Sequence, residues 1–283
     1  MNKCTLIIFL VWFLTFSFSK ATPQTSYSEG LRAVLVVGHL EASTGRSMKE
    51  MDKIGLLLEG HGVKVEKFYD RKAVWKDIAH AARGANFFIY SGHGTNLGGG
   101  DNPGGLCVEP TVASYTVRQE LKLAANALVV FQSVCYGAGS SAGDGIDIGP
   151  AEAGRRVGHY AFPFFSTGAS GYYANDFIGG AHDFLTAFLE GRSLGEAYVK
   201  TATQWTTIEF DKPYEQDSTK RISIASRPGG GTTTLTTYTN GRRSTRQVPV
   251  VKGYVIAYVG EPDFSIDRMR GKRGLSQLLD RRR

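Results

Sequence analysis

Two reactive side chains occupy matching places in this chain. His93 lies in ANFFIYSGHGTNLGGG (85–100), where an apolar run stops and gives way to glycines. Cys135 lies in ALVVFQSVCYGAGSSAGD (127–144), where a second apolar run stops by Val134. A thiolate is a strong nucleophile, but free cysteine is mostly protonated near neutral pH. A neighbouring imidazole takes that proton and later returns one to the leaving group. Acyl transfer by such a pair also needs donors for the developing oxyanion. The backbone N–H groups of Gly94, which no side chain shields, and of Cys135 are the candidates. The glycines flanking His93 let the backbone turn tightly and let a substrate chain come close.

These residues need strands that end side by side, and the pattern supplies them. RAVLVVG (32–38), NFFIYSG (86–92) and ALVVFQSV (127–134) are compact apolar runs, as in buried strands, and VKVEKFYD (63–70) alternates like one. Between them, 45–62, 72–84 and 117–125 carry the helical period. HYAFPFFSTGAS (159–170) reads as a strand, and 175–191 and 193–205 read as helices. Alternating strands and helices imply crossover units and a mainly parallel sheet covered on both faces. Ligands of such sheets bind at the carboxyl ends of the strands, where both His93 and Cys135 fall. The expected fold is α/β, a three-layer α/β/α sandwich. From Arg221 the pattern turns β-rich, and Asn240-Gly241 signals a two-residue hairpin inside an excursion over 219–250, followed by a last sheet strand.

The two motifs, YSGHG (90–94) and SVCYGAGS (133–140), resemble those of the caspase-like cysteine peptidases. That group includes caspases, metacaspases, legumains, clostripain and gingipains. FLEGRSLGEAYVKTA (188–202) and YVGEPDFSI (258–266) look like segments of its gingipain-like bacterial branch. The resemblance spans about 32–266. It implies a caspase-like fold and a cysteine-type endopeptidase, with His93 as general base and acid, Cys135 as nucleophile and Gly94 as one oxyanion donor. In metacaspases an aspartate two residues before the nucleophile helps bind a basic substrate side chain. Ser133 stands at that position here, so the cleavage preference does not carry over. Asp144 and Asp147, in the AGDGIDIG loop (142–149), are the other candidates for a substrate pocket, against the ordinary role of aspartate in glycine-rich turns.

Other readings stay open at this level. Cys107 and Cys135 could form a disulfide, which would leave a non-catalytic caspase-like binding module. Gly139-Ser140-Ser141-Ala142-Gly143 matches the G-x-S-x-G elbow of α/β-hydrolases, although Ser141 stands seven residues past the apolar run. Cys135 in an elbow of that kind would need His159 or His182 as its base.

The first 24 residues, MNKCTLIIFLVWFLTFSFSKATPQ, have a lysine, an apolar run over 6–14 and then small residues. That is the layout of a signal peptide over 1–21, and the run is short for a bilayer span, which needs about 20 residues. The expected product is an exported protein, secreted or periplasmic, with one peptidase domain over 30–266 and a basic tail over 267–283. The formal net charge of +7 is concentrated at the ends: 268–283 contributes +6, and Lys3 and Lys20 add two. The body is thus close to neutral, which argues against a nucleic-acid partner and leaves a protein or peptide substrate as the expected one. The six histidines show no metal-ligand spacing. The glycine-rich loops lack a Gly-Lys-Ser/Thr phosphate cradle, and no dinucleotide fingerprint opens a helix, so no cofactor is expected.

Overall fold

The computed structural model describes residues 30–100, 102–230, 232–239, 242–249 and 252–271. The signal segment over 1–21 and most of the basic tail lie outside the described residues. Five strands run parallel: β1 (Arg32–Val37), β2 (Lys64–Tyr69), β3 (Phe87–Ser91), β4 (Ala127–Gln132) and β5 (Ala169–Asn175). Three later strands join them antiparallel: β6 (Thr207–Tyr214), β7 (Asp217–Arg227) and β10 (Gly253–Gly260). The resulting mixed sheet has eight strands in the order β2-β1-β3-β4-β5-β10-β7-β6. All residues of β3, β4 and β5 are buried, which explains why β3 and β4 show continuous apolar runs instead of alternation.

Helices cover both faces. On one side α2 (Trp75–Ala81), α3 (Ser114–Glu120) and α4 (Gly149–Phe165) bury Ile78, Val117, Val157 and Tyr160 against Phe88, Val129 and Tyr172. On the other, α1 (Thr44–Gly60), α5 (Gly180–Leu189) and α6 (Leu194–Ala202) bury Met51, Phe184, Phe188 and Tyr198 against Leu35, Phe87 and Tyr173. Phe131 of β4 is the hub of the first side, with the rings of Tyr90, Tyr160, Phe164 and Tyr172 at 5.2–5.8 Å. Truncating such a side chain to alanine costs about 3–5 kcal/mol. The hub therefore locks β3, β4, β5 and α4 to one another under the strand tips.

The structure departs from the sequence reading in several places. Residues 159–165, read as strand, form the last turns of α4, and β5 begins only at Ala169. The aromatic run HYAFPFF looks like a strand, but Val157, Tyr160, Ala161 and Phe164 fall on one helical stripe and all are buried. Pro163 sits in the final turn, close to where the helix ends. The excursion expected over 219–250 is shorter, because β7 runs to Arg227 inside the main sheet. Only β8 (Thr232–Thr239) and β9 (Arg242–Pro249) stand apart, as a two-stranded sheet in which Thr239 pairs with Arg242. Asn240 and Gly241, the expected turn, lie outside the described residues. At the C-terminal end α7 (Ile266–Met269) tucks Ile266 and Met269 into the second core, so the start of the expected tail is folded. Among the described residues no helix is long and apolar enough to cross a membrane.

Candidate active site

β3 and β4 are neighbours, and Ser91 pairs with Gln132 at their carboxyl ends. His93 is two residues beyond the first and Cys135 three beyond the second, so the register alone brings both to one edge. The two loops touch through their backbones. A Cβ placed on Gly94 would lie 2.0 Å from the Cys135 carbonyl oxygen, 2.8 Å from its carbon and 3.1 Å from its Cα. Only glycine fits there. Gly94 and Cys135, nominated as oxyanion donors, are thus adjacent.

Two buried tyrosines hold this arrangement. Tyr90 of β3 donates from its hydroxyl to the His93 carbonyl at 3.0 Å and accepts the Cys107 N–H at 3.0 Å. Tyr160 of α4 accepts the Thr95 N–H at 2.7 Å and donates to the Thr95 carbonyl at 3.2 Å. Burial pushes the Tyr160 phenol well above its ordinary pKa, with Cys135 and Tyr136 acting in the same direction. It therefore stays a neutral hydroxyl able to serve both bonds.

His93 is exposed, and its Nε2 lies 3.1 Å from the Glu41 carboxylate, in the loop after β1. Its ring makes no hydrogen bond to Cys135, whose half-buried thiol is free. Catalytic hydrogen bonds are often long in the unliganded state and tighten on substrate. Glu41, Ser133 and Tyr136 all have left-handed backbone, with φ of 47°, 56° and 66°. Such a conformation costs a non-glycine residue about 1–2 kcal/mol. Strain of this kind tends to collect at functional sites. Glu41 was not singled out in the sequence, because 52 residues separate it from His93 and nothing local marks it.

Cys107 is also a free, half-buried thiol, with its sulfur 3.7 Å from the Thr111 hydroxyl. The Cys107–Cys135 disulfide raised by the sequence is therefore not formed. The loop after Cys135 is pinned by the Tyr172 hydroxyl, which donates to the Gly137 carbonyl at 3.0 Å, and by Ser140, which accepts the Tyr254 N–H at 2.8 Å.

The nominated pocket residues do not converge on an open acidic pocket. Asp144 accepts from Arg156 at 2.8 and 2.9 Å and from the Ser141 N–H at 2.7 Å, and little of its side chain is exposed. Asp147 caps the Gly149 N–H at 2.9 Å and accepts from the Tyr254 hydroxyl at 3.2 Å. Ser133 donates its N–H to the Asn175 carbonyl at 2.8 Å and adopts a conformation that bends the chain toward Cys135. Asp144 is held by an ion pair and Asp147 caps a turn, the latter the ordinary alternative weighed above. Glu152 shares the Arg156 guanidinium, and Arg155 with Arg156 holds its carboxyl down near about 2.

Ser141 lies nine positions past the end of β4, and its hydroxyl accepts only from the Gly143 N–H. That is a turn contact, without the strand-to-helix elbow and histidine a serine nucleophile requires. His182 lies on α5 beside Asp183, and His159 lies on α4, its pKa lowered by burial and then by Arg155. Neither hydrogen-bonds to Cys135. Among the described residues, no group of three or more histidine, cysteine or acidic side chains is placed to hold a metal ion.

A residue the sequence reading passed over stands one position beyond β5. Asp176 is half-buried, its Oδ1 is sealed from solvent without a hydrogen-bond partner, and burial raises its pKa to about 6, with Arg227 pulling the other way. No family model matches the chain, and no curated protein shows significant sequence similarity to it.

Proposed function

We propose that the protein is an exported cysteine endopeptidase of the caspase-like type, acting through Cys135 and His93. The observation that carries this reading is the backbone contact between Gly94 and Cys135. It sets an imidazole, a free thiol and the N–H groups of Gly94 and Cys135 at one carboxyl edge of a mainly parallel sheet, the edge where such sheets bind ligands. The strand order and the helices on both faces agree with a caspase-like sandwich.

In the proposed reaction the Cys135 thiol gives its proton to His93, and Sγ forms a bond to the peptide carbonyl carbon. The carbonyl oxygen takes the negative charge and accepts from the N–H groups of Gly94 and Cys135. One such donor is worth about 10²–10³ in kcat. The C–N bond then breaks, His93 delivers the proton to the departing amine, and a thioester remains. His93 next deprotonates a water, which attacks the thioester; the acid product leaves and the thiol takes back its proton. With Nε2 engaged by Glu41, Nδ1 is the ring nitrogen free to move protons.

Cleavage of a fluorogenic peptide library under reducing conditions, by the mature protein and its Cys135→Ala variant, tests this. Turnover that disappears in the variant is the expected result. Turnover that survives points to Ser141 and overturns the assignment. Absence of turnover in both, with intact labelling of the Cys135 thiol by iodoacetamide, leaves the fold as a binding module.

A further inference from the structure

The α1, α5 and α6 side of the sheet carries a cavity of about 570 Å³, and none of the residues placed around Cys135 lines it. There α6 packs over β10, with the Tyr198 ring 4.8 Å from that of Tyr258. Strand pairing carries the same face outward, since Ser223 of β7 lies beside Tyr258 and Asp211 of β6 lies beside Ser223. The cavity fills the angle between α6 and these strands. Tyr198 and Tyr258, both almost fully buried, form its floor, and Val199, Ile208 and Pro262 form its walls. Sites for small ligands occupy roughly 300–1,000 Å³ and are mostly apolar with a few polar groups, which describes this one.

The charges at the rim are uneven. Glu196 is committed to the capping box of α6, where it accepts the Ser193 N–H at 2.9 Å, and Asp211 accepts from Arg221 Nε at 2.8 Å. Arg221 also gives Nη2 to the Asp211 carbonyl, which leaves its Nη1 unused. Arg192 is exposed and makes no ion pair among the described residues. These two guanidiniums stand at one end of the groove: Arg221 pairs with Gly260, and Gly260 packs on Leu194 at the start of α6. Lys200, at the other end of α6, reaches Glu190 only at 4.0 Å. The rim thus offers spare cationic donors and no spare carboxylate. On the floor, the Tyr198 hydroxyl is sealed from solvent and stands close to Ser223, short of hydrogen-bond geometry. Ser223 gives its own proton to the Phe210 carbonyl at 3.1 Å. A buried donor left in that state calls for an explanation.

We propose that this groove binds a medium-chain fatty acid, with its carboxylate at Arg192 and Arg221 and its acyl chain laid along α6 over Tyr198 and Tyr258. The nine residues of α6 span about 13 Å, so a linear chain fits its length. An anionic head matches the two guanidiniums, and the tyrosine floor takes the apolar chain out of water. The basic segment 268–283 is the occupant nearest along the chain, but it carries +6 and the same guanidiniums repel it. The site is separate from Cys135 and stands whether or not the protein is a peptidase.

Calorimetry with decanoate, neutral decanol and the compact aryl acid phenylbutyrate tests the site at neutral pH. Wild type should bind decanoate at least about tenfold more tightly than decanol, the margin expected of a charge-assisted contact. Arg192→Gln should erase that margin and leave decanol binding as it was, whereas Lys200→Gln, at the far end, should change neither. Val199→Asp, at a half-exposed position, should abolish binding of both chains without lowering the melting temperature. Equal affinity for decanoate and decanol, tighter binding of phenylbutyrate, or no heat from decanoate at millimolar concentration overturns the proposal. So does a dimer in sedimentation that Val199→Asp dissociates and decanoate does not, because a second copy then covers the groove. Decanoate binding that appears only after removal of 272–283 overturns it as well, since the chain's own tail is then the occupant.

Discussion

Replacing Gly94 with alanine probes the contact on which the proposed chemistry depends. The new methyl group would start 2.0 Å from the Cys135 carbonyl oxygen, whereas ordinary contact begins near 3.4 Å. The two loops must therefore part by about 1.4 Å, because the obstructing atoms are backbone and no side chain can rotate away. A misplacement of about 1 Å costs a catalytic site roughly 100-fold. Losing one oxyanion donor costs about 10²–10³ in kcat, or about 3–4 kcal/mol. Gly94→Ala should accordingly lower kcat by two to three orders of magnitude on a fluorogenic peptide, with KM changed far less. Overpacking should also reduce unfolding stability by about 1–3 kcal/mol, read by urea denaturation. Gly45→Ala is the matched control. Its added Cβ meets nothing within 4 Å at the start of α1, so activity should be unchanged and stability equal or slightly higher. Wild-type kcat in Gly94→Ala would refute the claim that these loops must touch for the reaction.

Three further predictions follow from other parts of the site. Tyr160→Phe leaves the Thr95 N–H without its partner, so stability should fall by about 1–3 kcal/mol and kcat by roughly tenfold; an unchanged kcat would mean that Tyr160 supports the fold alone. Glu41→Gln removes an exposed pair worth at most about 1 kcal/mol, so steady-state kinetics should show a kcat loss no larger than about fivefold, and a 100-fold loss would contradict that. Asp176 gives a signed pH effect, because its folded carboxyl, at about 6, holds a proton more tightly than the ordinary 3.8. Its contribution is most favourable below about pH 4, declines as pH rises to 6 and levels off above, a loss of about 3 kcal/mol. Asp176→Asn should therefore melt higher than wild type at pH 7 and alike at pH 4, and a parallel offset at both values would refute the assignment.

Much of the central scaffold could be read along the chain, for a physical reason. A parallel strand buried on both faces must be apolar throughout, so β1, β3 and β4 announce themselves locally, and so do the glycine-flanked residues at their tips. Parallel neighbours ending together then bring His93 and Cys135 to one edge with no knowledge of side-chain contacts. α4 was misread over 159–165 because its buried stripe is built of tyrosine and phenylalanine, whose intrinsic preference is for strands. Only packing against Phe131 and Tyr172 selects the helix.

The residues that surround the pair belong to the tertiary structure. Glu41 meets His93 across 52 residues and Tyr160 meets Thr95 across 65. Asp144 looked available in its loop because the guanidinium that occupies it comes from α4, and Asp176 looked ordinary because its isolation is created by β10 and the nucleophile loop closing around it. Sequence by itself determined which strands are buried and which reactive groups stand at their ends, since both follow from local pattern. Which carboxylates are paired and which are left bare was decided only by folding, because pairing and desolvation depend on neighbours that the chain brings together from far apart.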